Sequence, residues 1–257
     1  MNEFLETIPV FDSHLHIIEG RHQLHSNDGY LPPAFSCDDY LERMRPYQLC
    51  GGAIVSGSFQ GFDRGYLVAA LQRLGASYVG VIQLPVDVTD KEIKNLHKIG
   101  VRAIRFNLKR GGSEGIAHLP CMASRVYDIA GWHVELYVDS DLLKDLYGKL
   151  RKLPAVSIDH LGLTRSGLKQ LLKLVDNGAS VKASGFGRVD FDVKGALRQL
   201  YAANPDALMF GSDLPSTRAP RPYMDNDFLL VLEALGAEAA PRVFSQNAIK
   251  LYKPASQ

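Results

Sequence analysis

The feature that most constrains the fold is a regular alternation of short apolar runs and longer amphipathic segments along the whole chain. The apolar runs have the length of buried strands, and the eight of them cover residues 10–16, 53–56, 78–84, 101–107, 133–138, 156–160, 180–184 and 208–213. Strands joined by helical crossovers pair in parallel. Eight such units in 257 residues predict an α/β fold, a single (β/α)8 TIM barrel over residues 1–257 with an extra C-terminal helix.

Local signals predict several helix boundaries. Thr89 and Glu92 form a capping box, in which each side chain satisfies a backbone donor of the other residue. The helix that follows has three apolar side chains on one face: Ile93, Leu96 and Ile99. We also expect Ser140 to cap a helix that stops before residue 154. Further helices are predicted over residues 37–49, 63–74, 168–175, 223–235 and 239–252.

Composition and charge exclude several classes of function. The chain is 46% hydrophobic and 22% charged with a net charge of +1, which offers no basic surface for nucleic acid. No apolar run reaches the roughly 18 residues that span a bilayer, so we expect no membrane partner. The three cysteines are odd in number and far apart, which favours neither a disulfide framework nor a CxxC zinc site. With an acidic N-terminus unlike a signal peptide, the protein is expected in the cytoplasm.

The first predicted strand carries the densest chemistry of the chain. Because side chains alternate along a strand, Asp12, His14 and His16 are expected on one face. Two imidazoles on one wall suit a pair that converges on a metal ion or a substrate, and the alternative is two ordinary histidines near a strand end. The polar segment that follows, residues 17–36, is long for a plain connection, and such loops are usually either functional or disordered.

Polar side chains recur where the predicted strands end. They are His14, His16, Ser56, Ser58, Arg105, Asn107, Tyr137, His160, Ser184 and Asp213. In a barrel of parallel strands these ends open on one face, which is where active sites lie. Charged groups there cost desolvation energy unless they are paired or used. The pattern therefore predicts an active site at this face.

Five motifs in this order resemble the amidohydrolase superfamily. They are FDSHLH at residues 11–16, GVRAIRFN at 100–107, IDHLG at 158–162, KASG at 182–185 and FGSDLP at 210–215. Within the superfamily the motifs resemble the amidohydrolase 2 group with its 2-pyrone-4,6-dicarboxylate lactonases, and the resemblance extends through residues 247–252. It implies a barrel enzyme that hydrolyses its substrate at the ends of the strands.

The resemblance implies a catalytic group of four residues. His14 and His16 match the first-strand histidine pair, His160 matches the sixth-strand histidine, and Asp213 matches the eighth-strand aspartate that activates water. The chemistry agrees, since lactone hydrolysis needs a base for water and donors that polarise the carbonyl group. Asp213 can be the base, and the three histidines can donate to the developing oxyanion.

The resemblance also implies a substrate-binding group. Arg105 and Arg188 fall where lactonases hold substrate carboxylates, to which guanidinium groups donate paired hydrogen bonds. Arg110 matches a further arginine, with a spacing one residue short. Tyr137 falls where lactonases keep a tyrosine and metal-binding relatives a histidine. Ser58 lies in a Ser-Phe-Gln-Gly run, in which many relatives have histidine instead of the glutamine.

Two further ionisable residues are expected to be structural. Lys182 faces inward by its strand parity, and we expect it to form a buried ion pair with Asp12 or Glu135 rather than to act in catalysis. Asp159 is predicted to point away from His160 along its strand. Arg218 and Arg221 follow the eighth strand, and their direction stays open.

The resemblance, together with these residues, implies a hydrolase that opens a lactone of a small carboxylated substrate, such as 2-pyrone-4,6-dicarboxylate, with Asp-activated water and no metal. Arg105 would repel a divalent ion beside it, and Tyr137 is a poor ligand while protonated. The alternative is a zinc-dependent amidohydrolase or decarboxylase, with the metal bound by His14, His16, His160 and Asp213. A third hypothesis is a catalytically silent anion-binding barrel. We expect a monomer or a homodimer.

Overall fold

The structure is a computed structural model that describes residues 6–255. Within this range the sheet has eight strands in sequential order, and every neighbouring pair is parallel. The strands are β1 (Val10–Leu15), β2 (Leu49–Val55), β3 (Tyr78–Ile82), β4 (Val101–Asn107), β5 (His133–Tyr137), β6 (Val156–Ile158), β7 (Ser180–Ala183) and β8 (Leu208–Phe210). After β8 the chain closes the ring against β1, where the Asp213 amide donates to the His14 carbonyl oxygen at 2.7 Å. The predicted barrel is confirmed.

Helices connect the strands and cover the outside of the barrel. In the described part of the chain they are α1 (Cys37–Arg43), α2 (Gly65–Leu74), α3 (Asp90–Lys98), α4 (Leu119–Ala130), α5 (Leu143–Leu150), α6 (Leu168–Asp176), α7 (Val193–Ala203), α8 (Asp225–Leu235) and α9 (Asn247–Tyr252). A π-helical turn over Arg242–Gln246 leads into α9, the expected extra C-terminal helix. The apolar faces of the helices bury a large core against the sheet, to which Leu67, Ile93 and Val126 contribute.

A second, smaller core fills the lower half of the barrel interior. Phe11, Val81, Ala103 and Met209 belong to it, together with Tyr252 from α9. The Tyr252 ring stacks on Phe11, with the ring centroids 5.7 Å apart. This apolar plug closes the N-terminal end of the barrel, so the polar side chains at the strand ends face the opposite opening.

The capping box at the start of α3 is confirmed. The Thr89 hydroxyl accepts from the Glu92 amide at 3.2 Å, and the Glu92 carboxylate accepts from the Thr89 amide at 3.0 Å. Ile93 and Leu96 are buried as predicted, whereas Ile99 is 40% exposed. The placement of Ile99 on the apolar face was wrong, because α3 ends at Lys98 and Ile99 is already the C-cap residue.

The predicted boundary between the first helix and the second strand was wrong. α1 ends at Arg43 instead of residue 49, and β2 begins at Leu49 instead of residue 53. Gly51 and Gly52 concealed the strand, since glycine is depleted in strands. At Gly51 the reason is a close backbone approach, because an added Cβ would lie 2.3 Å from the Ser77 carbonyl oxygen.

Ser140 does not cap the fifth helix as expected. Its hydroxyl donates to the Thr164 carbonyl oxygen at 2.7 Å, and a short 3₁₀ turn precedes α5, which begins at Leu143. The hydroxyl therefore joins two loops at the upper rim of the barrel instead of satisfying a helix N-terminus.

Thr89→Ala is expected to lower the free energy of unfolding by about 1 kcal/mol, because an N-cap hydroxyl is lost while its amide partner stays in place. Urea denaturation followed by circular dichroism measures the change. Ser124→Ala on the exposed face of α4 is the control, because alanine is the better helix former and no cap is removed. A Thr89→Ala variant as stable as the parent would contradict an energetic role for the capping box.

The sequence expectations on membranes and disulfides can be compared with the described residues. None of the helices in this part of the chain is both long and apolar enough to cross a bilayer. Cys37, Cys50 and Cys121 are all free thiols. The cytoplasmic location and the oligomeric state stay predictions.

Candidate active site

A pocket lies at the C-terminal ends of the strands, where the polar residues were predicted to meet. Its lining includes most of the predicted site: His16, Ser58, Arg105, Arg110, Tyr137, His160 and Arg188. Tyr30, from the long loop after β1, and Arg218, from the segment after β8, also line it. A second cavity of about 260 Å³ adjoins the pocket and shares four of its lining residues: Arg110, Tyr137, Arg188 and Arg218.

A bulge in β1 decides which side chains enter the barrel. Asp12 pairs with Gly52 and Leu15 with Ile54, so three steps along β1 match two along β2. The extra residue reverses the alternation, and both His14 and His16 face the interior while Asp12 faces the helices. Its carboxylate accepts from the Ser212 and Tyr40 hydroxyls at 2.6 and 3.2 Å. The expectation that Asp12 shares a face with the histidines was therefore wrong.

The four residues predicted as the catalytic group meet around one carboxylate oxygen. Asp213 Oδ1 lies 3.9 Å from Nε2 of His14, 3.9 Å from Nε2 of His16 and 3.8 Å from Nε2 of His160. The other oxygen, Oδ2, accepts from Arg188 Nε at 2.7 Å. Oδ1 is buried and has no hydrogen-bond partner among the described residues. A buried carboxylate oxygen without a partner costs free energy, which suits an acceptor reserved for a water or a ligand.

Backbone strain accompanies two of these residues. His160 and Asp213 have φ angles of +50° and +60°, in the left-handed region that side chains other than glycine rarely adopt. Both residues lie two or three positions after the end of a strand, in turns at the barrel mouth. Strain of this kind is retained where the surrounding structure needs a particular side-chain direction.

Burial controls protonation in the cluster. It lowers the pKa of His16 to about 3, with Arg105 adding to the effect, and it lowers the pKa of His14 and His160 well below the usual range. The three imidazoles are therefore neutral near pH 7, and each carries a single N–H. Burial raises the pKa of Asp213, and the Arg188 guanidinium opposes that shift.

Arg105 and Arg188 are both paired inside the protein, which the sequence did not predict. Arg105 donates to the Ser56 carbonyl oxygen and, at 2.8 Å, to Asp159 Oδ2, while its buried Nε has no partner among the described residues. Arg188 donates to Asp213 and, at 2.8 Å, to the Thr217 carbonyl oxygen. Each guanidinium thus holds a site carboxylate or carbonyl in position while it borders the pocket.

Arg110 and Arg218 border the pocket in different ways. The Arg110 guanidinium has no hydrogen bond or ion pair with any residue in the described part of the chain, and the residue is only partly buried. Arg218 donates to Asn27 in the loop after β1 and stacks over the Tyr30 ring at 4.5 Å. Arg221 instead pairs with Asp227 at 2.7 Å. Arg110 is therefore the cation at this mouth that is free to bind an anion.

Tyr137 and Ser58 complete the walls of the pocket, and the buried Gln60 contacts the loop after β1. The Tyr137 ring lies edge-on to His160, with the centroids 5.3 Å apart, and faces the Arg105 guanidinium at 5.4 Å. Ser58 borders the pocket from the 3₁₀ turn after β2, with its hydroxyl 3.4 Å from the Asn27 side-chain oxygen. Gln60 is buried, and its amide donates to the Ile17 carbonyl oxygen at 2.8 Å. The glutamine in the Ser-Phe-Gln-Gly run thus ties the loop after β1 to the barrel.

A buried charge cluster lies directly beneath the site. Lys182 Nζ contacts Glu135 Oε2 at 2.5 Å, which confirms one of the two predicted ion pairs. Lys182 also lies 3.2 Å from His14 Nδ1 and 3.5 Å from Asp159 Oδ1. Asp159 contacts Arg105 and is 3.4 Å from His14 Nδ1, so it belongs to the network around the site. The sequence missed these contacts, because they join β1, β6 and β7 across the barrel.

The cluster offers suitable atoms for one metal ion but not a suitable arrangement of protons. His14, His160 and Asp213 each offer a ligand atom within 4.8 Å of one another, and His16 Nε2 lies 3.3 Å from His14 Nε2. However, His14 Nδ1 accepts a hydrogen bond from the Lys182 ammonium group, which can only donate. The neutral ring then carries its proton on Nε2, the atom that a metal would need. The donor set as it stands does not fit a zinc ion bound by His14.

These features define a class of protein: a (β/α)8 barrel hydrolase with a histidine pair on β1, a histidine after β6 and an aspartate after β8. The chain belongs to the amidohydrolase family, because the family model described as Amidohydrolase matches residues 11–253. The match spans nearly the whole barrel and all four residues of the cluster.

Three related proteins are similar to this chain at modest sequence identity. A 2-pyrone-4,6-dicarboxylate hydrolase from Comamonas testosteroni is 26% identical over 78% of this chain and 75% of its own. A 4-sulfomuconolactone hydrolase from Rhizobium radiobacter is 26% identical over 96% of this chain and 88% of its own. The crystal structure of a putative 2-pyrone-4,6-dicarboxylic acid hydrolase from Pseudomonas putida matches with a TM-score of 0.80 and 27% identity, covering 96% of this chain and 98% of that one.

Proposed function

We propose that the protein hydrolyses the lactone ring of a small anionic substrate such as 2-pyrone-4,6-dicarboxylate, with Asp213 as the base that activates water. The observation that carries the proposal is the unpartnered Asp213 Oδ1 at the centre of three neutral imidazoles. The names of the relatives support the reaction class, since those proteins are hydrolases of a pyrone dicarboxylate and a sulfomuconolactone.

The reaction begins with a water that donates to Asp213 Oδ1. Arg188 holds Oδ2 at 2.7 Å and so leaves Oδ1 as the free acceptor. As the water oxygen bonds to the lactone carbonyl carbon, its proton moves to Asp213. The tetrahedral intermediate then collapses, the ring C–O bond breaks, and Asp213 returns the proton to the departing ring oxygen.

The oxyanion of the intermediate needs fixed N–H donors. His14 carries a proton on Nε2, because Lys182 donates to its Nδ1 at 3.2 Å. His160 Nε2 carries one when the Ser184 hydroxyl donates to Nδ1, at 2.9 Å. His16 instead donates from Nδ1 to the Val55 carbonyl oxygen at 2.7 Å, so its Nε2 is an acceptor. We therefore assign oxyanion stabilisation to His14 and His160, and not to all three histidines.

We assign binding of the substrate carboxylates to the arginines that line the pocket. Arg110 is unpaired and therefore loses no internal contact when it binds an anion. Arg105 has one free buried donor, Nε, and Arg188 borders both cavities. Arg110 and Arg188 line both the pocket and the adjoining cavity of about 260 Å³, so a ring with two carboxylates can direct one anionic group toward each arginine.

The zinc-dependent amidohydrolase or decarboxylase is the alternative function. A bound zinc ion would be held by His14, His16, His160 and Asp213 and would polarise water or the carbonyl group. The hydrogen bond from Lys182 to His14 disfavours it. Metal analysis of the purified protein, with rates before and after chelation, distinguishes the two. One equivalent of tightly bound zinc, with activity lost on removal and restored on return, would replace the metal-free proposal.

Arg110→Met is expected to lower kcat/KM for a carboxylated lactone by about 10- to 150-fold, because a charge-assisted hydrogen bond is worth about 1.5–3 kcal/mol. A neutral lactone should lose less than about threefold, since it has no anion to bind. Arg45→Met is the matched control, because Arg45 is an exposed arginine that lines neither cavity. Equal losses on both lactones would assign Arg110 a structural role instead.

A further inference from the structure

Lys182 occupies an unusual position for a charged side chain. It is fully buried on β7, in the barrel interior between the apolar plug and the active site. Its ammonium group lies at hydrogen-bond distance from Glu135 Oε2, at 2.5 Å, and His14 Nδ1, at 3.2 Å, and forms an ion pair with Asp159, whose Oδ1 is 3.5 Å away. The same His14, Glu135 and Asp159 form a cluster with metal-ligand spacing, and the ammonium group already supplies its cation.

The partners of the two β1 histidines determine where their protons lie. An ammonium group only donates, so His14 Nδ1 accepts and the ring proton is on Nε2. A carbonyl oxygen only accepts, so His16 donates from Nδ1 to Val55 and keeps a lone pair on Nε2. The two Nε2 atoms lie 3.3 Å apart, so the His14 Nε2–H can donate to His16 Nε2 until a ligand in the site accepts it. Every nitrogen of the pair thus has a definite role.

We propose that Lys182 is a positioning residue that holds His14 in the Nε2–H form, which provides a donor to the active site and closes the histidine pair to divalent cations. The proton occupies His14 Nε2, one of the two nitrogens that would hold a metal ion. The basis is the hydrogen-bond direction within the pair, so the proposal does not depend on which substrate the enzyme uses.

The structure also indicates what would follow without Lys182. Asp159 Oδ1 lies 3.4 Å from His14 Nδ1 and has no hydrogen-bond partner among the described residues. With the ammonium group gone, this carboxylate becomes the natural acceptor for a proton on His14 Nδ1. Metal-binding histidines commonly donate their second N–H to a carboxylate in this way. His14 Nε2 would then face His16 Nε2 and Asp213 Oδ1 with a free lone pair.

The test uses variants that keep the buried charges balanced. Lys182→Met alone leaves Glu135 buried without its cation, so the main variant is Lys182→Met combined with Glu135→Gln. Glu135→Gln alone is the matched control, because it alters the same cluster but leaves Lys182 on His14. Circular dichroism and thermal unfolding establish that each protein is folded before the comparison.

The first measurement is the tautomer of His14, from long-range proton–nitrogen NMR correlations of protein with ¹⁵N-labelled histidine. His14→Gln identifies the His14 signals by their loss. We expect Nε2–H in the parent and in Glu135→Gln, and Nδ1–H in the double variant. An Nδ1–H form in the parent, or the same tautomer in all three folded proteins, would overturn the proposal.

The second measurement is zinc affinity, by titration calorimetry of metal-free protein with zinc chloride. We expect the double variant to bind one zinc ion about 10- to 100-fold more tightly than the parent and the Glu135→Gln control, a size typical of changes in a ligand's hydrogen-bond partner. His16→Gln in the double-variant background should abolish that gain. Parent and double variant with the same affinity would contradict a role for Lys182 in excluding cations.

Discussion

Replacing Asp213 with asparagine is expected to lower kcat for the proposed lactone opening by about 10²–10⁴-fold, the range for removal of a general base. The amide has nearly the same shape but cannot take a proton from water. Its oxygen can still accept from Arg188, which contacts Oδ2 at 2.7 Å in the parent. We therefore expect KM and the unfolding midpoint to change little, and steady-state kinetics with a carboxylated lactone measures the loss.

The control for this substitution is Asp128→Asn, the same chemical change on the exposed outer face of α4, which should leave the rate unaltered. A variant at position 213 that turned over at the parent rate would show that another group activates the water. A rate loss accompanied by a lower unfolding midpoint would show that Asp213 mainly supports the fold.

Lys182→Met is expected to lower the free energy of unfolding by about 3–5 kcal/mol, the largest stability change predicted for this chain. Lys182, Glu135 and Asp159 are all fully buried, and removing the cation leaves two carboxylates in the barrel interior. An unpaired buried charge is far more costly than the pair itself is favourable. Urea denaturation of the parent and the variant measures the difference.

Removing the charge of Glu135 at the same time should recover much of that loss. The Lys182→Met and Glu135→Gln double variant leaves only Asp159, which still has Arg105 at 2.8 Å. If the single and double variants were equally unstable, the loss would come from packing of the lysine chain rather than from the unpaired carboxylate. Comparing the two variants therefore distinguishes the cost of an unpaired buried charge from the cost of lost side-chain packing.

The fold was accessible from the sequence because its signals are local. Each strand is a short apolar run, and the Thr89 capping box marks the start of α3 from four adjacent residues. The errors lie where long-range contact overrides local preference. Gly51 belongs to a strand because Ser77 packs against its backbone, and Ser140 bonds to Thr164 in another loop.

The sequence predicted which residues form the site better than it predicted the hydrogen bonds and ion pairs between them. The histidines and Asp213 converge as expected from the ends of three strands. The predicted direction of the Asp12 side chain was wrong, because a one-residue bulge in β1 cannot be recognised from side-chain alternation. Asp159 was expected to be structural, and the structure adds its contacts with Arg105, Lys182 and His14. His160, its neighbour, adopts a left-handed conformation, so strand parity fails at that point.

The contacts that Arg105 and Arg188 make inside the protein could not be predicted from the sequence either. Arg105 reaches Asp159, which is 54 residues later, and Arg188 reaches Asp213. Residue type alone predicts anion binding for both, and the structure adds a role in positioning site carboxylates. Arg110, whose match to the family was one residue out of register, is instead the unpaired cation among them.

The central claim is that Asp213 activates water to open a carboxylated lactone without a metal. The most direct measurement is incubation of chelator-treated, metal-free protein with 2-pyrone-4,6-dicarboxylate in ¹⁸O-labelled water, with mass spectrometry of the product. The account predicts a ring-opened tricarboxylic product with one ¹⁸O in the new carboxylate, formed at the same rate as by untreated protein. Release of carbon dioxide, or ring opening only after zinc is added, would contradict it.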